Sequence, residues 1–414
     1  MPGPLHGVRV LDLTSMISGP LATMLLADQG ADVIKVENPR GGDLNRHVST
    51  ARNGMPASFL NNNRNKRSLV VDLKDERGVR ALKALARTSD VLVQNFRPGV
   101  VERLGIGPDD LRAVAPGLVY VSIFGFGDRG PYARKPVYDP LIQAVSGLAS
   151  VQGGSDSERP RLVRTIVPDK LTGHVCAQAV TAALYHKAKT GEGQTIVVNM
   201  LDAVVAFLWS SDMGGRTLVG DEVPVETAQS YIDLIYETRD GYISVAVNTD
   251  REWAGLCRAL GRPELIRDPR FETPRLRHLN IDERLALTQE MLARGTSGEW
   301  LERLEAEDVG CAPVLTRAEM IAHPQVASNG TVIESDHPVA GRIRQARPAA
   351  RFSCAPFEIR RGAPGFGRHS VEVLRDAGLT REEIAALVAD GAVVADSAED
   401  GSAPGGEEAP GSTA

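Results

Sequence analysis

The sequence is poor in cysteine, in aromatic residues and in long apolar segments. Its 414 residues contain four cysteines, Cys176, Cys257, Cys311 and Cys354, which are widely spaced and form no CxxC pair. This spacing indicates neither a disulfide framework nor a zinc site, so we expect a reducing compartment and no bound metal. No apolar run approaches the roughly 20 residues that a membrane helix needs, and the N-terminus lacks the features of a signal peptide. We therefore expect a cytoplasmic protein without a membrane partner.

The sequence also has no excess of basic residues. The formal net charge is -6 at pH 7, whereas binding along nucleic-acid phosphates requires a basic surface. The composition, 42% hydrophobic and 24% charged, is that of an ordinary folded protein. Since domains average roughly 150 residues, this length indicates two or three of them. The composition favours small-molecule chemistry and argues against a nucleic-acid partner.

Short β-branched runs alternate with helical segments from Val8 to Phe124. The strand-like runs are VRVLDL, DVIKVE, RSLVVDL, VLVQNF and LVYVSIF, and the helical segments include PLATMLLADQ and GVRALKALART. Such alternation is typical of a parallel sheet that is covered by helices. The pattern predicts an α/β fold.

Changes in composition divide the rest of the chain. Asp169–Lys187 is predicted to be a long helix that starts at Asp169, and YIDLIYETRDGYISVAV predicts a hairpin that turns at Asp240–Gly241. We predict a large domain over residues 1–224, a smaller α+β domain over 225–317, and a return to the large domain over 318–394. In that return, Ser370–Ala389 is predicted to form one amphipathic helical stretch. Residues 395–414 contain no bulky apolar side chain, and we expect them to be disordered.

The segment Gly125–Gly130, GFGDRG, satisfies the dinucleotide-binding pattern GxGxxG directly after a predicted strand. A dinucleotide site also needs a helix to begin at once, because the helix amides hold the pyrophosphate. The sequence PYARKP follows instead, and it does not open a helix cleanly. We interpret the segment as an active-site loop and not as an NAD site.

Several cations are predicted to lie near the ends of strands. For any one lysine or arginine, exposure to solvent is the ordinary expectation. In an open α/β sheet, however, ligands bind beyond the carboxyl ends of the strands, where cations can contact phosphates. The set therefore favours a phosphate-bearing, nucleotide-like ligand. Its members are Arg40, Lys66, Arg67, Lys74, Arg97 and Arg103.

Asp169 has two interpretations. An aspartate at the start of a helix is a common N-cap residue, because its side chain accepts a hydrogen bond from a free backbone amide. The positive end of the helix dipole also keeps such a carboxylate ionised and available to attack an electrophile. Both interpretations predict the same residue type, so position alone does not separate them.

Several segments occur in the order found in a known family. They are GVRVLDLTSMISGPLATMLLADQGADVIKVENPRGGD, NKRSLVVDLK, NFRPGVVERLG, YDPLIQAVSGL, VPDKLTG and TGEGQTIVVNMLDAVVAF, and they span most of residues 7–210. Together they resemble the family III CoA-transferases, the group that contains formyl-CoA and carnitine CoA-transferases. The resemblance implies transfer of coenzyme A from an acyl-CoA donor to a carboxylic acid acceptor through an aspartyl-CoA thioester, with no permanently bound cofactor. It also implies a Rossmann-like large domain, a smaller α+β domain and an interlocked homodimer.

The same resemblance implies the site residues. Asp169, in VPDKLTG, matches the family's catalytic nucleophile. The positions that match the family's CoA pocket are Ser15, Met16, Ile17, Ser18, Val71, Asp72, Leu73, Lys74, Asn95, Phe96, Arg97, Arg103, Tyr138 and Asp139.

The chain departs from the formyl-CoA transferase pattern at several positions. That pattern has glutamine at the position of Ile17, arginine at that of Asn38 and lysine at that of Pro136. We expect Arg40 and Lys135 to supply the displaced charge at the CoA pocket. The glycine-run loop of that enzyme is also missing around residues 226–231. The oxalate and formate specificity is therefore not transferred.

Two other functions fit parts of the pattern. An acyl-CoA racemase or isomerase of the same fold would use the CoA pocket for proton transfer. The racemases have a His-Asp pair where this chain has Tyr138 and Asp139, so a general base of suitable pKa is missing. A non-catalytic acyl-CoA binding protein is the second alternative, in which Asp169 is only a helix cap.

Overall fold

The computed structural model describes residues 2–154, 156, 158–220 and 233–396. The chain forms two compact units, one of residues 1–228 with 331–414 and the other of residues 229–330. The domain limits predicted at residues 224, 317 and 394 stay a prediction. Residues 226–231, where the family's glycine-run loop is missing, lie outside the described residues, and so does the tail that we expect to be disordered, apart from Ala395 and Asp396.

The strands that the structure describes follow one another in the order β1 (Arg9–Leu13), β2 (Asp32–Glu37), β3 (Ala51–Arg52), β4 (Met55–Pro56), β5 (Lys66–Val71), β6 (Val91–Gln94), β7 (Val119–Phe124), β8 (Thr195–Asn199), β9 (Ile235–Glu237), β10 (Tyr242–Ala246), β11 (Gly310–Pro313), β12 (Val332–His337), β13 (Gly341–Ala346) and β14 (Val393–Val394).

The helices are α1 (Ser18–Asp28), α2 (Ala57–Asn63), α3 (Glu76–Arg87), α4 (Val100–Arg103), α5 (Pro108–Arg112), α6 (Asp139–Val145), α7 (Leu148–Gly153), α8 (Val167–Thr190), α9 (Met200–Trp209), α10 (Gly214–Thr217), α11 (Asp250–Ala259), α12 (Pro274–Leu279), α13 (Ile281–Leu292), α14 (Ser297–Ala306), α15 (Arg317–Ala322), α16 (Pro324–Ser328), α17 (Ser370–Asp376) and α18 (Arg381–Ala389). Among the described residues, two 3-10 helices cover Leu44–Arg46 and Pro263–Arg267. No helix in the described part of the chain is long and apolar enough to cross a membrane.

A seven-stranded sheet in the order β14-β5-β2-β1-β6-β7-β8 forms the centre of the first unit. Neighbouring strands from β5 to β8 are parallel, and β14 alone pairs antiparallel, along the edge of β5. The strand order reverses between β1 and β6, as in the Rossmann fold, and ligands of such sheets bind at the carboxyl ends of the strands beside the reversal. The predicted α/β fold with a parallel sheet is confirmed.

Helices cover both faces of this sheet, which explains why its strands contain runs of adjacent apolar residues. All six residues of β5 are buried. One face packs against α3, α17 and α18 through residues such as Leu82, Leu374 and Leu387. The other face packs against α1 and α8, where Leu26 and Val180 are fully buried.

The second unit is a small α+β structure. β9 and β10 form the predicted antiparallel hairpin, which turns at Asp240–Gly241, and β11 pairs with the other side of β10. Trp253 of α11 and Trp300 of α14 are buried in its core.

The chain near the C-terminus differs from the sequence prediction. Ser370–Ala389 is not one helical stretch, because α17 ends at Asp376 and α18 begins at Arg381. Gly378 between them has a φ of 88°, which favours glycine and ends a helix. Thr380 and Glu383 then form a capping box at the start of α18, a T-x-x-E signal that is visible in the sequence.

The glycine-rich segment after β7 is not followed directly by a helix. The next helix, α6, begins at Asp139. The GxGxxG pattern therefore lacks the helix that a dinucleotide site requires, as the sequence predicts. Gly125 has a packing role, since a Cβ atom at this position would overlap the side chain of Val137.

Candidate active site

Two adjoining cavities lie at the carboxyl edge of the large sheet, beyond the ends of the neighbouring strands β1 and β6. Ser15, Asn95 and Phe96 line both of them. The Asp169 cavity has a volume of about 220 Å³ and contains Asp169, and the Lys74 cavity, of about 460 Å³, extends past the ends of β2 and β5. Their place beside the strand reversal is the usual ligand position in this type of sheet.

The structure brings most of the predicted site residues to these cavities. The Asp169 cavity is lined by Ser15, Met16, Ser18, Asn95, Phe96, Arg97, Lys135, Tyr138, Asp139 and Asp169. The Lys74 cavity is lined by Ser15, Arg40, Val71, Asp72, Leu73, Lys74, Asn95 and Phe96.

Two of the predicted CoA-binding residues line neither cavity. Ile17 occupies the N-cap position of α1, and Arg103 is exposed at the end of α4. Both nevertheless belong to segments whose other residues reach the cavities. Their assignment to the CoA pocket rests on the resemblance and stays a prediction.

Two cations that suggested a phosphate ligand are structural instead. Lys66 is fully buried, and its Nζ lies 2.9 Å from Asp12 Oδ2. Arg67 pairs with Asp32, Glu372 and Asp376. Both residues begin β5 and so lie at the amino end of the strand, opposite the cavities. Their expected contribution to a phosphate site is therefore wrong.

The loop Ser15–Ser18, between β1 and α1, is held in an unusual backbone conformation. Met16 has a φ of 70°, a left-handed conformation that costs a non-glycine residue roughly 1–3 kcal/mol. The Met16 amide donates to Asp43 Oδ1 (2.9 Å), and Asn45 Nδ2 donates to the Met16 carbonyl (3.0 Å). Asn95 accepts from the Ser15 amide and donates to its carbonyl. These hydrogen bonds hold the loop against both cavities.

Buried charged residues next to this loop hold it in place. Lys35 is fully buried, lies 2.8 Å from Asp43 Oδ2, and donates to the carbonyl of Thr14 (3.0 Å). Asp12, also fully buried, pairs with Lys66 and accepts from the Thr14 amide. Hydrogen-bonded charges in a low-dielectric interior restrain one another strongly, so the carboxyl end of β1 is rigid.

Asp169 is the third residue of α8 and not its N-cap. The N-cap residue is Ile166, which offers no side-chain hydrogen bond. Ser18, at the start of α1, lies close enough to the Asp169 carboxylate to favour its ionised form. The interpretation of Asp169 as a simple cap is wrong, because Ile166 and not Asp169 occupies the N-cap position.

A second carboxylate lies beside it. Asp139, at the start of α6, is buried, and its Oδ2 accepts the backbone amide of Asp169 (3.2 Å). Removal of Asp169 from water, followed by the negative charge of Asp139, raises the pKa of Asp169 to about 6, although Ser18 opposes the change. The carboxylate is still mostly ionised at pH 7.

Sequence reasoning missed three residues that support the candidate site. Gln143, one helical turn after Asp139, donates to Asp139 Oδ1, while Asp43 and Asn45 fix the Met16 loop. The spacing Asp-x-x-x-Gln at a helix start is the signal that reveals Gln143, because residues four apart share one helix face. Asp43 and Asn45 carry no comparable local signal.

Comparisons with known proteins identify the family of this chain. The model of CoA-transferase family III matches residues 5–370. The chain is 36% identical to the human succinyl-CoA:glutarate CoA-transferase over 380 residues, which is 90% of this chain and 86% of that protein. It is 34% identical to the probable fatty acyl-CoA transferase Rv3272 of Mycobacterium tuberculosis, over 90% of this chain and 97% of that one.

A crystal structure of the same M. tuberculosis protein superposes with a TM-score of 0.79 at 33% identity, covering 89% of this chain and 99% of that chain. The match extends over both sequence and three-dimensional structure, and it includes the sheet that carries the two cavities. This chain therefore belongs to CoA-transferase family III.

Proposed function

We propose that this enzyme transfers CoA between carboxylic acids through a thioester on Asp169. The observation that carries the proposal is the position of Asp169. Its carboxylate lies in a small cavity at the strand reversal, and this cavity adjoins a larger one with exposed cations. Family membership supports CoA transfer and does not favour a racemase or a non-catalytic binding protein.

The two cavities suggest how an acyl-CoA lies in the site. Lys74 is exposed in the larger cavity, and so is Arg40, whose guanidinium pairs with Asp72 at 3.1 Å. We infer that they bind the phosphates of CoA, since exposed cations suit phosphate oxygens. The pantetheine arm then passes Ser15, Asn95 and Phe96, which line both cavities, and the thioester reaches Asp169.

The reaction consists of two symmetric exchanges. The Asp169 carboxylate attacks the acyl-CoA carbonyl, the C–S bond breaks, and a mixed anhydride and the CoA thiolate form. The thiolate then attacks the aspartyl carbonyl, releasing the first acid and leaving an aspartyl-CoA thioester. The acceptor carboxylate repeats both steps in reverse, which forms the new acyl-CoA and restores Asp169. Covalent catalysis divides a difficult substitution into easier steps.

The chain offers donors for the oxyanions that form in these steps. The glycine-rich segment after β7 contributes Gly125 and Phe126 to the wall of the Asp169 cavity. We propose backbone amides of this segment as oxyanion donors. The amide of Asp169 is a poorer candidate, since it already donates to Asp139.

We propose short dicarboxylic acids as substrates. Arg97 and Lys135 line the Asp169 cavity together with the nucleophile, so a second carboxylate on the acid would meet positive charge. The human relative is named for two dicarboxylic substrates, succinyl-CoA and glutarate.

We also propose, from the family, that the protein is cytoplasmic and forms a homodimer. A light-scattering mass of twice that of the chain would support the homodimer.

The covalent intermediate provides the test of this function. Enzyme incubated with succinyl-CoA and no acceptor should gain CoA as a thioester, and hydroxylamine should then convert one aspartate to a hydroxamate. Asp169→Ala should abolish both the adduct and turnover. Asp202→Asn is a matched control, because Asp202 is also the third residue of a helix in this unit but is exposed. Labelling of another carboxylate, or full turnover by the alanine variant, would contradict the assignment.

The CoA pocket has a separate test. The resemblance implies phosphate contacts for both Lys74 and Arg103, whereas Lys74 lines one of the two site cavities and Arg103 lines neither. If the cavity marks the phosphate site, Lys74→Ala should raise KM for acyl-CoA about tenfold with little change in kcat, and Arg103→Ala should leave both constants unchanged. Equal effects of the two variants would show that the phosphates extend beyond this cavity.

A further inference from the structure

We propose that Gln143 is a positioning residue for the nucleophile. Its side chain links Asp139 to the backbone directly before α8. It thereby fixes the position of Asp139 relative to the first turn of α8, which carries Asp169. This inference rests on the proposed role of Asp169. Gln143 does not line the Asp169 cavity, so any effect on the reaction must pass through its neighbours.

The contacts of Gln143 reach two parts of the chain. Its Nε2 donates to Asp139 Oδ1 at 2.6 Å, and its Oε1 accepts the amide of Val163 at 2.9 Å. Longer contacts join Nε2 to the carbonyls of Val163 (3.4 Å) and Thr165 (3.3 Å). The side chain is buried, at 2% exposure, so these bonds do not compete with water. Gln143 thus ties α6 to the segment directly before α8.

The start of α8 needs such a support. Its N-cap residue, Ile166, has no side-chain oxygen, and a free helix amide would be unsatisfied if nothing else accepted it. Asp139 accepts the amide of Asp169 from a separate helix. One oxygen of Asp139 therefore bonds to Gln143 and the other to the Asp169 backbone, and together these bonds set the orientation of the carboxylate.

The orientation of Asp139 matters to the nucleophile. Its charge contributes to the environment of the Asp169 carboxylate, and its hydrogen bond holds the turn from which that carboxylate reaches the cavity. Without Gln143, Asp139 Oδ1 would lose this donor in a buried place, and the carboxylate would turn or shift to find another. Displacement of an attacking group by about 1 Å commonly costs roughly a hundredfold in rate.

The first measurement is the rate at which the CoA adduct forms from succinyl-CoA. Gln143→Leu should slow this step about tenfold, with KM for acyl-CoA changed less than about twofold, since the residue touches no part of the cavity. Gln345→Leu is the matched control, because Gln345 is also buried in this unit and donates to a backbone carbonyl, that of Leu60, at 2.8 Å. The control should form the adduct at the wild-type rate.

A double-mutant cycle separates positioning from general stability. If Gln143 acts through Asp139, Gln143→Leu should slow adduct formation by less than about twofold in an Asp139→Ala background, because coupled residues are not additive. Should Gln143→Leu fail to fold, Gln143→Met replaces it. Methionine keeps the length of the side chain but cannot donate to Asp139, so this variant should also slow the step.

The outcomes distinguish this inference from the proposed function. A wild-type enzyme that forms no adduct would overturn both. A wild-type enzyme that forms the adduct, together with a Gln143 variant as fast as Gln345→Leu, would overturn positioning alone. Full additivity in the cycle would likewise show that Gln143 does not act through Asp139.

Discussion

At the scale of single residues, the pKa of Asp169 depends more on burial and on a neighbouring carboxylate than on its position in a helix. The first turn of a helix favours a negative charge by only roughly 0.3–1 kcal/mol at an exposed site. Burial and a neighbouring carboxylate act in the opposite direction, and they raise the pKa of Asp169 to about 6. The result is a carboxylate that is ionised at neutral pH but more basic, and so more nucleophilic, than an ordinary aspartate.

This pKa predicts a pH dependence. The rate of adduct formation at low acyl-CoA should fall as the pH drops below about 6, because the protonated carboxyl cannot attack. Asp139→Asn removes a neighbouring negative charge, so the pKa of Asp169 should fall and the acid limb should move to lower pH. The Asp202→Asn control should leave the limb in place. A limb that stays fixed or moves upward in Asp139→Asn would contradict this account.

The same shift predicts a stability change that does not depend on any activity. The pKa of Asp169 is raised from 3.8 to about 6 by folding, so above pH 6 the ionised carboxylate destabilises the folded state, and this cost disappears as the pH falls through 6 toward 3.8. Asp169→Asn should therefore increase the free energy of unfolding by about 1–2 kcal/mol at pH 7.5. Urea unfolding at pH 7.5 and pH 5 measures both values, and the gain should be smaller at pH 5. A less stable variant at pH 7.5 would contradict the prediction.

At the scale of secondary-structure elements, the site depends on short connections that rigid elements hold in place. β1 and α1 are joined by the loop Ser15–Ser18. Its left-handed residue Met16 donates its amide to Asp43 and accepts a hydrogen bond from Asn45 at its carbonyl. Strain of this kind persists only where the surroundings determine it, and it is common at binding sites. The loop should therefore lose its shape when one of these supports is removed.

Asn45→Ala tests this dependence. Asn45 is fully buried, lines neither cavity, and donates to the Met16 carbonyl at 3.0 Å. Its loss should lower the free energy of unfolding by about 1–2 kcal/mol and raise KM for acyl-CoA more than kcat changes. Asn62→Ala is the control, since Asn62 donates to a carbonyl within α2, that of Ser58. An unchanged KM in Asn45→Ala would show that the loop keeps its conformation unaided.

At the scale of the whole molecule, the first unit is built from both ends of the chain. Residues after 331 return to the sheet that the N-terminal segment forms, and β14 pairs with the edge of β5. The Ser370 hydroxyl donates to the carbonyl of Val394, and the amide of Asp72 donates to the carbonyl of Ala392. The last described strand thus protects the edge next to Asp72 and Lys74, in the wall of the Lys74 cavity.

Two truncations test this arrangement. Deletion of residues 397–414, which contain no bulky apolar side chain, should leave the melting temperature unchanged. Deletion of residues 393–414 also removes β14, including the buried Val393, and should lower the melting temperature by about 5–10 °C. Differential scanning calorimetry of both proteins measures the difference. Equal losses in the two proteins would show that the added contribution of β14 is negligible.

The sequence by itself determined five strands of the large sheet, β1, β2, β5, β6 and β7, together with the family and the region of the candidate site. Strands such as LVYVSIF are recognisable because both faces of a parallel sheet are buried, which favours runs of apolar residues. The hairpin at Asp240–Gly241 depends equally on local turn chemistry. By contrast, β14 is only two residues long and forms because β5 offers an open edge, and its short sequence carries no periodic signal.

Only the tertiary structure decided which of the candidate residues meet. It buried Lys66 against Asp12, left Lys74 open, and brought Ser18, Asp139 and Asp169 together from three separate elements. Burial and the pairing of charges depend on distances between residues that are remote in the chain, and these follow from strand order. Burial and the neighbouring charge of Asp139 raise the pKa of Asp169, so this pKa is a property of the fold and not of the local sequence.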